Sequence, residues 1–225
     1  MNNKPIIIIA GEPNSVFLEI FFKTLKNTKI KSPLILITSE NILKKQMKKL
    51  KYKKKIKILD YNNLNHHKLD NKSINLINVN FNQKKAFDKI SNKSNKFIKE
   101  CFKIAFQVIK TTKIYKFING PISKKHFLGK KYLGMTEYIS KEFSSKANCM
   151  LIYNKDLSVC PITTHLPIKL VAKSINKKTL SCFIKLSFES NFNPSNLSSI
   201  RLLSSANSIS KNGQFRLKRI LLKQS

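Results

Sequence analysis

Two short apolar runs near the start of the chain are each followed by a segment whose apolar residues recur every three or four positions. Residues 5–10 read PIIIIA and residues 33–38 read PLILIT. Continuous apolar runs of this length are typical of strands buried on both faces of a parallel sheet. The segment between them predicts an amphipathic helix, capped by Asn14 or Ser15, with an apolar stripe of Val16, Phe17, Ile20, Phe21 and Leu25.

The same alternation of strands and helices continues as far as residue 175. The pattern predicts a helix through Leu43, Met47 and Leu50, a strand over 56–59, and an exposed, Asn-rich connection over 60–82 that contains a strand at 74–79. A helix over 86–109, with its start broken near 91–95, and a strand over 115–118 follow. Further on, the pattern predicts helices over 136–143 and 167–175 and strands over 150–153 and 159–163. This alternation indicates an α/β fold with right-handed crossovers.

The composition divides the chain into three parts. Residues 1–118 form the predicted N-terminal α/β lobe, and residues 119–190 form a second α/β lobe that carries most of the candidate site residues. Residues 191–225 are rich in Ser, Asn and basic residues and have weak periodicity. We interpret this divergent basic tail as an interaction tail, as a poorly ordered end, or as an element whose packing partners are missing.

The overall composition is that of a globular protein in a reducing compartment. With 225 residues, of which 41% are hydrophobic, the chain can form one large lobe or two small ones with a core. The apolar run at 5–10 is too short to span a bilayer and does not complete a secretion signal. Cys101, Cys149, Cys160 and Cys182 form no C-x-x-C pair, which argues against a disulfide framework and against a zinc ribbon. We therefore expect a cytoplasmic protein without a membrane span.

The formal net charge of +33 has two interpretations. One is a surface that binds nucleic acid or acidic membrane by neutralising phosphates. The other is a solvated lysine surface without a specific partner. Of the 44 basic residues only Arg201, Arg216 and Arg219 are arginine, the residue that groove recognition usually employs. The second interpretation is favoured, although some non-specific affinity for nucleic acid is expected in vitro.

Two loops that follow predicted strands carry candidate ligand-binding residues. Residues 11–15 and 119–124 lie at the strand ends where open α/β sheets bind ligands. Neither loop has the glycine pattern of a dinucleotide-binding or phosphate-binding loop, so both are interpreted first as ordinary strand-to-helix turns. In the second loop Gly120 would let the backbone approach a ligand, and Lys124 is a candidate phosphate contact.

A histidine at the end of another predicted strand is a candidate metal ligand. Residues 163–167 read TTHLP, and a neutral imidazole at His165 can either ligate a metal or bond to its own loop. For an isolated histidine the second role is favoured. His66, His67 and His126 have no ligand-like spacing and are predicted to be surface residues.

Four motifs, in this order, resemble those of the 4-hydroxythreonine-4-phosphate dehydrogenase family of pyridoxal phosphate biosynthesis. The family's G-D-P-x-G-I-G-P-E-I loop resembles residues 11–20, although Ser15 and Phe17 replace its middle glycines. Its A-P-I-N-K motif resembles residues 120–124, its G-H-T-E motif residues 134–137, and its T-T-H-x-P motif residues 163–167. The matches together span about residues 6 to 175.

The resemblance implies a three-layer α/β fold of the isocitrate and isopropylmalate dehydrogenase type, with two lobes around a cleft, in a homodimer. The family uses NAD to oxidise 4-phosphohydroxythreonine, a small phosphorylated amino acid, to 2-amino-3-oxo-4-phosphooxybutanoate, which then loses carbon dioxide. A divalent metal such as zinc, magnesium or cobalt stabilises the developing alkoxide. By this resemblance His165 is a metal ligand, and Thr136 is a substrate contact at a helix entry suited to an anion.

The sequence departs from the family at two of its functional positions. Met135 stands where the family has a substrate-binding histidine, and a thioether cannot donate a hydrogen bond to a substrate oxygen. The family's second metal histidine aligns with Ser195, and the third has no counterpart. His165 is then the single metal ligand that remains, whereas catalytic metal sites normally use three protein ligands.

These departures predict a truncated or degenerate member of the family whose C-terminal part is incomplete. They leave two hypotheses about activity, an impaired NAD-dependent dehydrogenase and a non-catalytic remnant. A basic nucleic-acid-binding protein is a third hypothesis, less favoured than either, which requires a clustered basic face.

Overall fold

The chain forms two compact units, residues 1–131 and residues 132–225. The computed structural model describes residues 4–129, 132, 134–143, 150, 152, 159, 161–163, 166–177, 180, 208–209 and 215–216. The first unit is therefore described almost throughout, and the second in part.

Five parallel strands form the sheet of the first unit. They are β1 (Ile6–Ile9), β2 (Leu34–Thr38), β3 (Ile56–Ile58), β4 (Ile74–Asn78) and β5 (Phe117–Asn119). Their order across the sheet is β3-β4-β2-β1-β5, and every neighbouring pair is parallel. The predicted parallel α/β architecture is confirmed. The connection predicted to be exposed, however, contains the buried strand β4, which lies between β3 and β2.

Three helices connect these strands: α1 (Phe17–Asn27), α2 (Glu40–Lys49) and α3 (Asn95–Thr111). Two predicted boundaries are wrong. The N-cap of α1 is Val16 and makes no side-chain capping bond; Ser15 instead accepts a hydrogen bond from the backbone N–H of Phe17 at 3.3 Å. The helix predicted from residue 86 begins only at Asn95, directly after a 3-10 turn (Asn92–Ser94) that lies where the break was expected.

The core on one face of the sheet is formed by α1 and α2. Side chains from these helices pack with alternate residues of β1, β2 and β4 in a buried apolar cluster: Ile8, Ala10, Leu18, Phe21, Phe22, Leu34, Leu36, Ile42, Leu43, Met47, Ile74 and Leu76. Successive strand residues point to opposite faces, so Ile7, Ile9, Ile35 and Ile37 project from the other face. Helix α3 contacts β1 and β2 and buries Ile98, Phe102 and Ala105, which completes a three-layer α/β unit.

One end of α2 is closed by a lysine in the left-handed conformation. Lys51 has φ +53°, and its N–H donates to the Lys48 carbonyl at 3.3 Å. The next N–H, of Tyr52, donates to the Met47 carbonyl at 2.9 Å. This pair of bonds is the Schellman motif, whose left-handed position is usually glycine because a Cβ there costs roughly 1 kcal/mol.

The second unit contains two helices among its described residues, α4 (Met135–Glu142) and α5 (Ile168–Ser174), close to their predicted positions. Ile152 and Val159 form an antiparallel bridge between the two predicted strands, but residues 161–163 of the second are not in a strand. Strands β6 (Ser208–Ile209) and β7 (Phe215–Arg216) pair antiparallel. Within the described residues of both units, no helix has the length and apolarity to cross a membrane.

The left-handed residue gives a prediction about stability. We expect Lys51→Gly to raise the free energy of unfolding by about 0.5–1 kcal/mol, because glycine adopts positive φ without a Cβ clash. In the control variant Lys48→Gly, which places glycine within α2, the free energy of unfolding should fall by a similar amount. Urea denaturation of both variants measures the difference, and a loss of stability in Lys51→Gly would contradict the assignment.

Candidate functional site

The loops after β1 and β5 touch each other at the carboxyl edge of the sheet. The N–H of Gly120 donates to the Ile9 carbonyl at 2.7 Å, and the N–H of Glu12 donates to the Pro121 carbonyl at 2.9 Å. In open α/β sheets, this edge is where ligands bind when neighbouring loops diverge to opposite faces. The first two motif loops of the sequence therefore meet in one place, as expected from parallel strands.

The close approach of the two backbones requires glycine at positions 11 and 120. Gly11 has φ +74°, and a Cβ on it would lie 2.4 Å from the carbonyl oxygen of Pro121. A Cβ on Gly120 would lie 2.2 Å from the carbonyl oxygen of Ala10 and 2.9 Å from the ring of Phe17. The absence of a side chain at Gly120 is therefore explained by the end of β1 and the start of α1, which fill the space beside it, and the approach of a ligand to this loop stays a prediction.

Most backbone N–H groups of the loop after β1 donate hydrogen bonds within the protein. The Asn14 N–H donates to the Glu12 carboxylate at 3.3 Å, and the Ser15 N–H donates to the Glu12 carbonyl at 3.1 Å. The Phe17 N–H donates to the Ser15 hydroxyl, and the Glu12 N–H is held by Pro121. Amides with such partners are not free to bind a phosphate, so the interpretation of this loop as a strand-to-helix turn is supported.

Glu12 is a buried carboxylate that joins distant segments of the chain. It is 3% exposed, and its Oε2 atom accepts a 2.7 Å hydrogen bond from the hydroxyl of Ser94, at the start of α3. Its Oε1 atom accepts from the backbone and side-chain amides of Asn14. The motif drew attention to Glu12, but nothing in the sequence indicated Ser94, because the two residues are 82 positions apart.

Other buried polar groups surround the same edge. Gln46 of α2 is fully buried and donates to the carbonyls of Pro13 at 2.7 Å and Ala86 at 2.9 Å. Asn14 in turn accepts from the side chain of Gln83 and from the N–H of Asp88, both at 2.9 Å. The connection between β4 and α3 is thereby held against the first loop by side-chain bonds, and the loop has a fixed shape.

The second loop continues into a π-helical turn, Lys124–Leu128, which begins after Ser123. The predicted phosphate contact, Lys124, is exposed at the first position of this turn. His126, predicted to be a surface residue, is partly buried: its Nδ1 atom lies 2.8 Å from Asn92 Oδ1, and its carbonyl accepts from Asn95 at 2.6 Å. The role of Lys124 as a phosphate contact stays a prediction.

The candidate substrate residues lie at the start of α4 in the second unit. Met135 and Thr136 are the first two residues of this helix, and both are half-buried. Gly134 is the N-cap and provides no side-chain capping bond. The Oε2 atom of Glu137 is buried and has no hydrogen-bond donor among the described residues. Burial, with a smaller effect of Glu142, raises the pKa of Tyr138 to about 12, so this phenol stays protonated at neutral pH.

The predicted metal ligand, His165, lies outside the described residues, and its role stays a prediction. Among the residues that the structure describes, no three His, Cys, Asp or Glu side chains are grouped to hold a metal ion. His67 accepts a hydrogen bond from the N–H of Asp60, and His126 is bonded to Asn92. Cys101 is a buried free thiol whose pKa is raised by desolvation, which makes it a poor ligand or nucleophile.

The fold places the first unit among open parallel α/β proteins, a class whose ligands usually bind at the carboxyl edge of the sheet. Comparison with known proteins is more specific. The family model described as pyridoxal phosphate biosynthetic protein PdxA matches residues 29–201. Because this match covers most of the 225 residues, the chain belongs to the PdxA family.

Individual relatives agree with this assignment. The 4-hydroxythreonine-4-phosphate dehydrogenase of Aquifex aeolicus (strain VF5) is 26% identical over 192 residues, which are 82% of this chain and 57% of that protein. Crystal structures of the corresponding enzymes of Burkholderia phymatum and Klebsiella pneumoniae each have a TM-score of 0.70 and 19% identity. The alignments cover 81% and 82% of this chain and 56% and 58% of those chains. The chain thus spans little more than half the length of these relatives.

The bond between Glu12 and Ser94 gives a prediction. We expect Glu12→Ala and Ser94→Ala each to lower the free energy of unfolding, because each leaves a buried polar partner without its bond. A double-mutant cycle should give a coupling energy of about 1–2 kcal/mol. As a control, the exposed pair of Lys23 and Glu19, 2.6 Å apart, should give less than about 0.5 kcal/mol. Equal coupling in the two cycles would show that burial of Glu12 contributes nothing.

Proposed function

We propose that the chain acts in pyridoxal phosphate biosynthesis as an NAD-dependent dehydrogenase of 4-phosphohydroxythreonine, with impaired substrate binding. The reaction removes hydride from the secondary alcohol and yields 2-amino-3-oxo-4-phosphooxybutanoate, which loses carbon dioxide. The observation that carries the proposal is the family match over residues 29–201, which includes the motifs at 120–124, 134–137 and 163–167. A cytoplasmic homodimer is part of the same proposal.

The residues of this chain would contribute mainly by binding the anionic substrate. Lys124 carries an exposed ammonium group on a short π-helical turn, which suits electrostatic attraction of a phosphate. Thr136 presents a hydroxyl in the first turn of α4, where uncapped helical N–H groups favour an anion. Each residue is assigned its role by the position that it occupies in the family's motifs.

The described residues contain no three-ligand cluster that would fit the metal. The backbone amides of the loop after β1 are bonded within the protein, so this loop does not fit a dinucleotide phosphate. We therefore assign no catalytic step to either group in this chain. His165 is the histidine of the T-T-H-x-P motif, and it is the residue proposed to contact a metal.

A non-catalytic member of the family is the second candidate function. It is favoured by Met135, whose thioether replaces a donor, and by Ser195, which replaces a metal histidine. A protein of this kind would keep the fold and bind the phosphorylated substrate weakly, without stoichiometric metal.

The two functions predict different results in an assay of NADH formation. We expect the purified chain to form NADH from 4-phosphohydroxythreonine and NAD when zinc, magnesium or cobalt is added, and Thr136→Val to raise KM about tenfold by loss of one hydrogen bond. Thr28→Val, an exposed threonine outside all four motifs, is the control substitution. If no NADH forms with any of the three metals, and elemental analysis finds no bound metal, the dehydrogenase proposal is wrong and the non-catalytic one stands.

A second prediction concerns the residue at position 135. We expect Met135→His to tighten binding of 4-phosphohydroxythreonine about tenfold, which corresponds to about 1.4 kcal/mol for a restored polar contact. Isothermal titration calorimetry measures the change, and Met135→Leu should bind like the unmodified chain because it restores no donor. Equal affinities for all three proteins would mean that position 135 does not contact the substrate.

A further inference from the structure

Every strand of the parallel sheet is preceded, within three residues, by an exposed lysine. From one edge strand to the other these residues are Lys55 before β3, Lys72 before β4, Lys31 before β2, Lys4 before β1 and Lys116 before β5. Parallel strands all begin at the same edge, so these lysines lie along the amino edge of the sheet, opposite the loops after β1 and β5. We call this row, with residues 48–55, the lysine edge.

Backbone contacts fix the register of this edge. The Ile6 N–H donates to the Pro33 carbonyl at 2.9 Å, and the Ile7 N–H donates to the Lys116 carbonyl at 3.0 Å. On the other side of the sheet, the Ile74 N–H donates to the Lys55 carbonyl at 2.8 Å. Because neighbouring strands lie about 4.8 Å apart, the five strand starts form a row roughly 19 Å long.

The segment between α2 and β3 increases the charge at one end of the row. Residues 41–59 contain no Asp or Glu, and they contain nine lysines: Lys44, Lys45, Lys48, Lys49, Lys51, Lys53, Lys54, Lys55 and Lys57. The six from 48 to 55 connect the end of α2 with the start of β3 and therefore lie at the amino edge. One of them, Lys51, occupies the left-handed position that would favour glycine.

The acidic residues of the first unit lie mostly elsewhere. Glu12, Glu40 and Asp60 follow strands and are at the carboxyl edge, whereas Asp70, before β4, is the acid near the lysine edge. The ion pairs found among the described residues join Lys23 with Glu19, Lys44 with Glu40 and Lys103 with Glu100. None of these includes a lysine of the lysine edge. Lysines also lie at the carboxyl edge, among them Lys84, Lys89 and Lys124, so the two edges differ in the position of their acids and in the continuous row of lysines before the strands.

The chemistry of the lysine edge fits phosphates in a chain better than a membrane surface. A membrane-binding face needs apolar side chains that insert between lipids. The exposed large apolar residues of the described chain include none in residues 48–55; the two at β5 are Tyr115, before the strand, and Ile118, within it. The Nζ atom of Lys4 lies 4.9 Å from the centre of the Tyr115 ring. An exposed aromatic ring beside a row of cations is suited to single-stranded nucleic acid, whose bases stack on such rings.

We propose that the lysine edge binds the phosphate backbone of single-stranded nucleic acid, without base specificity. Lysine ammonium groups neutralise phosphates as point charges and do not read base edges as arginine forks do. Binding should therefore depend steeply on salt and little on base sequence. The surface contains none of the residues of the candidate site, so this proposal does not depend on the proposed enzymatic function.

Charge-reversal variants of equal net charge test whether the position of the lysines matters. The edge variant carries Lys51→Glu, Lys53→Glu and Lys55→Glu, and the control variant carries Lys84→Glu, Lys89→Glu and Lys93→Glu at exposed positions of the β4–α3 connection. Each substitution removes two charges, so both variants go from +33 to +27. Binding of a short labelled single-stranded RNA of mixed sequence is followed by fluorescence anisotropy over a range of salt concentrations.

We expect the edge variant to bind RNA at least about tenfold more weakly and to have a salt slope smaller by about two, since three phosphate contacts are lost. The control variant should lose less than about threefold. Equal losses in the two variants would overturn the proposal, because net charge alone would then explain the binding. Circular dichroism checks folding, and Lys→Gln at the same three edge positions replaces the edge variant if it does not fold.

The same proteins distinguish RNA from anionic lipid. Vesicles containing phosphatidylserine are the second probe, and co-sedimentation measures their binding. If the edge substitutions abolish vesicle binding but leave RNA binding unchanged, the surface is a membrane contact and the proposal is wrong. Failure of the unmodified chain to bind RNA at physiological salt would also overturn it.

Discussion

The close contact between the end of β1 and the turn after β5 is the constraint on which the described part of the protein depends. Gly11 and Gly120 let the two backbones approach so closely that a Cβ on either would overlap a carbonyl oxygen. This contact joins the first strand to the last strand of the sheet and fixes the loop that carries Glu12. From there, Ser94 and Gln46 connect the loop to α3 and α2. A single polar network thus fixes the carboxyl edge of the sheet.

These contacts determine which parts of this PdxA family member are free to bind a ligand. The loop at residues 11–17 keeps the family's first glycine and proline, but most of its backbone N–H groups donate hydrogen bonds within the protein. The ring of Phe17 fills the space beside Gly120. The two residues proposed to contact the substrate, Lys124 on its π-helical turn and Thr136 at the start of α4, lie outside this loop. By the resemblance of the motifs, Met135 and Ser195 stand where the family has histidines.

The two edges of the sheet differ in chemistry. The carboxyl edge carries buried carboxylate and amide groups that bond to each other, whereas the amino edge carries exposed lysines in a row. A buried polar group needs a hydrogen-bond partner because its desolvation is costly. An exposed lysine is solvated by water, so several lysines can lie side by side along an edge. Helix dipoles account for lysines at helix ends, such as Lys48 and Lys49, but not for those before the strands. The lysines before the strands are exposed and solvated, and the polyanion binding proposed for them rests on their position in one row.

The sequence by itself determined the order and type of the elements in the first unit, because apolar runs and helical periodicity indicate which side chains of each segment are buried. It also indicated the family, because four motifs keep their order along the chain. It indicated a break near residues 91–95 but not that α3 begins only there, and it could not indicate that β4 lies between β3 and β2, because strand order depends on pairing between segments far apart in sequence. The bond between Glu12 and Ser94 and the filled space beside Gly120 likewise arise only in the folded chain. Tertiary structure decided these because strand order brings together residues that no local pattern connects.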